Sequence, residues 1–136
     1  MIPPRLSFVT LGARDLGRMR AFYAAWGWHE LPGSTEEFAQ FALGGTRFAL
    51  YPLELLREEA APTLAIPEPG TWSGVTLAVN VATPEEVDAA YATALAAGAG
   101  EVAAPVQRTW GGRSGYVSDP EGQRWEIAYL PGLLND

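Results

Sequence analysis

Hydrophobic and polar residues alternate along this chain in two rhythms, and the order of those rhythms is repeated. Leu6 to Leu11 runs with a period of two, Val9 and Leu11 on one face and Phe8 and Thr10 on the other, which predicts a strand. Asp15 is placed as a helix N-cap. Leu16, Met19, Phe22, Tyr23 and Trp26 then recur at helical spacing, and Gly27 stands where a left-handed C-terminal cap is wanted. Trp28 to Leu31 predicts a short strand, and Phe38–Leu43 and Arg47–Tyr51 predict a hairpin across Gly44-Gly45. From Pro52 to Ser73 the rhythm is broken. Leu53 to Ala60 has room for two turns of helix, and Pro62, Pro67, Pro69 and Gly70 mark a linker.

The pattern then starts again. Val75, Leu77, Val79 and Val81 alternate with Thr76, Ala78 and Asn80. Thr83-Pro84-Glu85-Glu86 is a helix start: N-cap, proline at the first helical position, capping-box glutamate at the third. Val87, Ala90, Tyr91, Ala94 and Leu95 form the buried stripe, and Gly98 ends the helix. Glu101–Ala104, Arg113–Ser118 and Gln123–Tyr129 supply three further strands. The chain therefore reads as α+β, two repeated βαβββ modules forming a cupped mixed sheet: residues 5–52, a linker at 53–73, and residues 74–131, within a single domain of residues 1–136. Whether the repeats pair within one chain or are exchanged across a dimer depends on the linker.

Laying one copy over the other places Phe8-Val9-Thr10-Leu11 on Thr76-Leu77-Ala78-Val79, and Arg47-Phe48-Ala49-Leu50 on Arg124-Trp125-Glu126-Ile127. The helix-packed face is apolar in both copies. The opposite face is mixed: Phe8, Thr10, Gln40, Arg47, Ala49, Tyr51, Thr76, Ala78, Asn80, Arg113 and Glu126. Aromatic and small side chains with a few converging polar groups are the usual make-up of a small-molecule pocket. Glu126 is the odd residue, a carboxylate in mid-strand opposite Trp125 and Ile127, so either its face is wet or it has a partner. Pairing across the Asp119-Pro120-Glu121-Gly122 turn is expected to bring Arg113 beside it as a bidentate pair. That pair serves either to grip an anionic or carbonyl group of a ligand or simply as a structural ion pair.

With 136 residues the chain is long enough to bury a core. Its net charge of −7, with no run of Lys or Arg, argues against nucleic acid and anionic membranes as partners. The absence of cysteine removes disulfides, thiolate nucleophiles and cysteine metal sites, and fits a cytoplasmic location. No apolar run reaches membrane-spanning length. Serine-nucleophile, P-loop and dinucleotide fingerprints are missing.

Phe8-Val-Thr-Leu with Asp15-Leu16 and Ala21-Phe22-Tyr23, then Val87-Asp88-Ala89, Gly98, Tyr116-Val-Ser-Asp-Pro-Glu-Gly and Trp125-Glu126, resemble the vicinal-oxygen-chelate superfamily over nearly the whole chain. That superfamily includes glyoxalase I, bleomycin-resistance proteins, fosfomycin-resistance transferases and extradiol dioxygenases. In its metal-using members, residues of the first and last strands of each repeat hold the ion, often His and Glu. Carried over by the overlay, the ligand positions become Phe8, Ala49, Thr76 and Glu126, of which only Glu126 is a good ligand. A one-residue slip would bring Ser7 or Val9 instead, and neither restores a site. His29 falls on no ligand position.

The resemblance thus implies a metal-free binder of the bleomycin-resistance type, with no cofactor, although a divalent metal is not excluded. It would hold a small organic molecule, as a homodimer, with Glu126 as the one candidate catalytic residue. The alternative is a glyoxalase-like lyase or isomerase, or a dioxygenase-type enzyme, using Glu126. A third reading is an interaction surface whose bowl is filled by its own side chains. Trp110, in a Gly-rich loop, is a candidate wall or flap; the other reading is an intersubunit or edge contact. Trp26, Trp28 and Trp125 read as core.

Overall fold

The first helix, α1 (Leu16–Ala25), shows how the pattern becomes structure. Asp15 accepts the Arg18 N–H at 3.0 Å as its N-cap, and Gly27 takes φ +88° beyond its end. Between these stops Met19, Phe22 and Tyr23 are buried. They pack on a sheet of three strands, β1 (Phe8–Ala13), β2 (Ala39–Leu43) and β3 (Thr46–Pro52), in the order β1-β3-β2. The computed structural model describes residues 1–132; residues 133–136, the end of the expected domain, lie outside the described residues. By internal contacts the chain forms two compact units, Met1–Glu68 and Pro69–Asp136.

In the first unit β1 runs parallel to β3, with Val9 opposite Phe48 and Leu11 opposite Leu50, while β2 is antiparallel, with Phe41 opposite Phe48. The Tyr23 ring is central to the core. It meets Phe48 edge-on at 4.9 Å, stacks on Trp28 at 5.5 Å and touches Phe22 and Trp26 at 5.0 and 5.2 Å. Edge-to-face rings of this kind add to what burial alone contributes.

The strand expected at Trp28–Leu31 does not form: the segment makes one isolated bridge, Glu30 to Phe41, and the Leu31 amide donates to the Gln40 carbonyl at 2.7 Å. Trp28 is drawn into the aromatic cluster, and Pro32, which lacks an N–H, ends the pairing. The segment is instead held by Arg20. Its guanidinium grips Glu30 through Nε and Nη2 at 3.0 and 2.6 Å and donates to the Thr35 and Glu36 carbonyls. After β3, α2 (Leu53–Ala60) fills part of the expected linker.

The second unit is a sheet of four strands, β4 (Thr76–Asn80), β5 (Gly100–Gln107), β6 (Arg113–Ser118) and β7 (Arg124–Tyr129), ordered β4-β7-β6-β5, crossed by α3 (Pro84–Ala96). Thr83 caps α3 by accepting the Glu86 N–H at 3.2 Å; Glu86 reaches back to the Ala82 N–H, one residue before the expected Thr83 amide. Val87, Tyr91 and Ala94 of α3 are buried, as are Val117, Trp125 and Ile127 of the sheet. β5 is longer than the predicted Glu101–Ala104 and bears register shifts between Glu101 and Val106, around Pro105. The architecture is thus α+β, two mixed sheets each carrying a helix, and the parallel pairs share one register: Phe8 opposite Arg47 and Thr76 opposite Arg124.

Replacing Arg20 with alanine is expected to cost about 1 kcal/mol, because it frees Glu30 and two loop carbonyls at once. The Arg20 hydrogen bond holds the Glu30 carboxyl below its ordinary range. Its contribution is therefore present above the ordinary carboxylate value and is lost as pH falls through the depressed one. Urea denaturation of wild type and Arg20→Ala should show a stability gap at neutral pH that closes below about pH 4.

Candidate functional site

On the sheet of the second unit, Thr76, Ala78 and Asn80 of β4, Ser114, Tyr116 and Ser118 of β6, and Arg124, Glu126 and Ala128 of β7 share the face turned away from α3. Tyr116 lies directly opposite Glu126 and its hydroxyl donates to Glu126 Oε2 at 3.1 Å. One row along, Ser114 faces Ala128 and is almost fully buried. Arg108, in the loop after β5, docks there. Its Nε donates to Ser114 Oγ at 2.8 Å and its Nη2 to the Ser114 carbonyl at 3.2 Å. Burial pushes the Tyr116 phenol above its ordinary value, the Glu126 charge pushes it further, and the Arg108 cation works against both.

In the first unit Phe8, Thr10, Gln40, Arg47, Ala49 and Tyr51 do share one face, as expected. Arg47 Nη1 donates to Gln40 Oε1 at 3.0 Å, and its guanidinium carbon stands 5.9 Å from the centre of the Phe8 ring. Gln40 is held from its other end by the Gly33 carbonyl. Ala49 is fully buried, and Tyr51 meets Phe38 edge-on at 5.9 Å. Leu53 covers the far end of this face: a Cβ on Gly12 would fall 2.5 Å from its Cδ1. A cavity of about 460 Å³ lies beyond, between Ala13, Leu53, Glu54, Glu58 and Ile66, and none of the predicted residues lines it.

The expected Arg113–Glu126 pair does not form. Ser118 pairs with Arg124 across a turn of residues 119–123, so Arg113 stands opposite Tyr129 and on the other side of the sheet from Glu126. There Arg113 makes a bidentate pair with Asp88 of α3, at 2.9 and 2.8 Å. The pair holds the Asp88 carboxyl below its ordinary range. An odd-length turn reverses the parity that a four-residue count suggests.

Trp110 is half-exposed, in the loop that joins β5 to β6. Its ring packs over Gly112, where a Cβ would overlap both the indole and the Tyr129 carbonyl. His29 is exposed on the segment after α1.

A metal held by this face would need several oxygen or imidazole donors, and the residues present do not fit one. Among the described residues no three His, Asp or Glu side chains come together. Glu126 is opposed by Ala78 and Tyr116 across its two neighbouring strands, and the matching position in the first unit is Ala49.

A family model for the glyoxalase/bleomycin resistance protein/dioxygenase superfamily matches residues 5–127. The chain belongs to this superfamily. Among solved structures, a glyoxalase-related enzyme from Fulvimarina pelagi is 30% identical, with 94% of this chain and 89% of that one covered and a TM-score of 0.82. A glyoxalase/bleomycin resistance protein/dioxygenase from Nocardioides is 28% identical, covering 100% and 90%, with a TM-score of 0.79. A lactoylglutathione lyase from Agrobacterium tumefaciens, 21% identical over 94% and 95% with a TM-score of 0.71, shares the fold. No curated protein matches the chain.

Sequence reasoning placed Glu126 on the side opposite Trp125 and Ile127, but put Arg113 on its face in place of Ser114 and Tyr116 and did not single out Arg108. Ser114 and Tyr116 carried a usable signal: counted back from Glu126 across an odd turn, they fall on its face. Arg108 carried none, since a loop residue has no periodicity to read.

Two outcomes follow for this superfamily member. Gly112→Ala should lower stability by about 1–3 kcal/mol, and adding Trp110→Ala should recover only part of the loss, because the Tyr129 carbonyl remains in the way; thermal denaturation of the single and double variants measures both. Ultraviolet titration should find three tyrosines, Tyr51, Tyr91 and Tyr116, ionising above the ordinary phenol value, and Glu126→Gln should bring down the Tyr116 one alone. The folded state holds that proton more tightly, so its contribution to stability is present below the ordinary phenol value and lost as pH rises through the elevated one.

Proposed function

We propose that the protein binds a small organic molecule on the open face of its second sheet, with Glu126 and Tyr116 as polar contacts and no resident metal, in the manner of resistance-protein sequestration. The observation that carries this reading is the state of Glu126. It is a half-buried mid-strand carboxylate that accepts one neutral hydroxyl at 3.1 Å and has no cation in ion-pair contact among the described residues. Carboxylate oxygens accept more than one hydrogen bond each, so Glu126 keeps capacity for a ligand donor. Its small neighbour Ala78 is exposed, which leaves the strand beside Glu126 uncovered, and the half-exposed Trp110 stands in a loop of the same unit as an apolar surface.

Metal-free recognition is supported by the donor set, in which alanine stands where a second ligand would be needed. The same reading has the protein act as a homodimer, because β5 is an exposed edge strand with Val102 and Val106 uncovered. Sedimentation velocity tests that part.

The test of the main reading is calorimetric titration of metal-stripped protein with nickel, zinc and manganese, and separately with bleomycin and S-lactoylglutathione, in wild type and Glu126→Ala. The expected result is no stoichiometric metal binding and saturable binding of an organic ligand that weakens about tenfold or more in the variant. Tight metal binding lost in Glu126→Ala, with formation or breakdown of S-lactoylglutathione, would replace this reading with the lyase alternative.

A further inference from the structure

The open face of the second sheet carries two arginines as well as a carboxylate: Arg124, whose Nη1 donates to the Gly122 carbonyl at the turn end of the face, and Arg108, held on the buried Ser114 at the other end. Among the arginines, Arg20 is neutralised by Glu30 and Arg113 by Asp88. Arg108 has no carboxylate within ion-pair distance among the described residues; its hydrogen bonds go to the hydroxyl and carbonyl of Ser114. A guanidinium has five N–H groups in a rigid fork, and these two bonds use one edge of it, so Nη1 and the second Nη2 proton are left to give. Docking on Ser114, itself 1% exposed, fixes the side chain before any ligand arrives, which lowers the ordering cost of binding. In a chain of net charge −7 a fixed and unneutralised arginine on a half-buried surface calls for an anion.

Spacing and sign narrow the class. Arg108 docks at the row of Ser114 and Ala128, and Glu126 stands one row on, with Tyr116. Two residues of strand separate the rows, roughly 7 Å, the scale of a para-disubstituted benzene ring. Glu126 accepts hydrogen bonds and repels excess negative charge, so a singly charged head is favoured over a dianion. The far end of the ligand then has to donate. The Tyr116 phenol responds to both the Arg108 and the Glu126 charge, in keeping with one shared site.

We propose that Arg108 is the anion anchor of this site and that the protein takes a small aromatic carboxylate, its carboxylate on Arg108 and a hydroxyl or amine donor on Glu126. This rests on the binding face proposed above and adds the class of its ligand.

The experiment is calorimetric titration with para-hydroxybenzoate, its neutral analogue para-hydroxybenzamide, and phenyl phosphate, in wild type, Arg108→Gln, Arg108→Lys, Arg124→Gln and Arg47→Gln. Wild type should prefer the acid to the amide by about tenfold or more, as one charge-assisted hydrogen-bonded contact gives. Arg108→Gln should erase that preference by weakening the acid far more than the amide, Arg108→Lys should restore part of it, and Arg124→Gln and Arg47→Gln should leave it intact. Equal affinity for acid and amide, a preference that survives Arg108→Gln, or one that disappears in Arg124→Gln or Arg47→Gln would overturn the anchor. Tighter binding of phenyl phosphate would overturn the carboxylate assignment. Amide binding that needs Glu126 but shows no acid preference would sink this proposal and leave the binding face standing, whereas no binding of any of the three compounds would remove the aromatic carboxylate class itself.

Discussion

Asp119 sits buried under the β6–β7 turn, where its Oδ1 accepts the amides of Glu121 and Gln123 at 2.9 and 3.0 Å. Most of what distinguishes the two faces of the second sheet depends on this turn. The Asp119 amide closes it on the Gln123 carbonyl, Gly122 takes φ +93°, and Ser118 is set opposite Arg124. Side chains alternate along a strand, so that pairing fixes the side of every residue that follows. Trp125 and Ile127 go under α3, and Glu126 goes to the open face. A slip of one residue would bury the carboxylate and expose the tryptophan, an exchange costly enough to specify the register.

The same parity sorts the charges. Arg113, Gly115 and Val117 are carried to the helix side, so Arg113 meets Asp88 of α3 and ties the end of β6 to the helix. Ser114 and Tyr116 are carried to the other side. The open face therefore carries a carboxylate held by a neutral phenol and an arginine held by a serine, rather than one closed ion pair. Charges that do not neutralise each other keep their capacity to bind something else.

The first unit uses one frame for a different end. Its parallel pair has the same register as that of the second, yet alanine stands at the level of Glu126 and phenylalanine at that of Thr76. Its polar groups satisfy one another, Arg47 with Gln40 and Gln40 with the Gly33 carbonyl. Its density of aromatic rings around Tyr23 makes it the more conventionally packed core, and that cluster draws in Trp28 at the expense of a strand.

The repeat, the three helices with the caps of α1 and α3, all seven strands to within three residues, and the apolar face of each sheet were legible in the sequence, because caps and periodicities of 2 and 3.6 are local properties of a few neighbouring residues. Family membership was legible for the same reason, as an order of such local features. Three things were decided only by the tertiary structure. Trp28–Leu31 has strand-like composition, but the aromatic cluster outbid the ladder for its backbone. Arg113 reads as a partner for Glu126 until the odd turn sends it to Asp88. Arg108, silent in a loop, acquires its place only when Ser114 is buried close enough to hold it. Periodicity tells which way a side chain faces along its own strand; which charge it meets depends on pairing between segments that the sequence keeps apart.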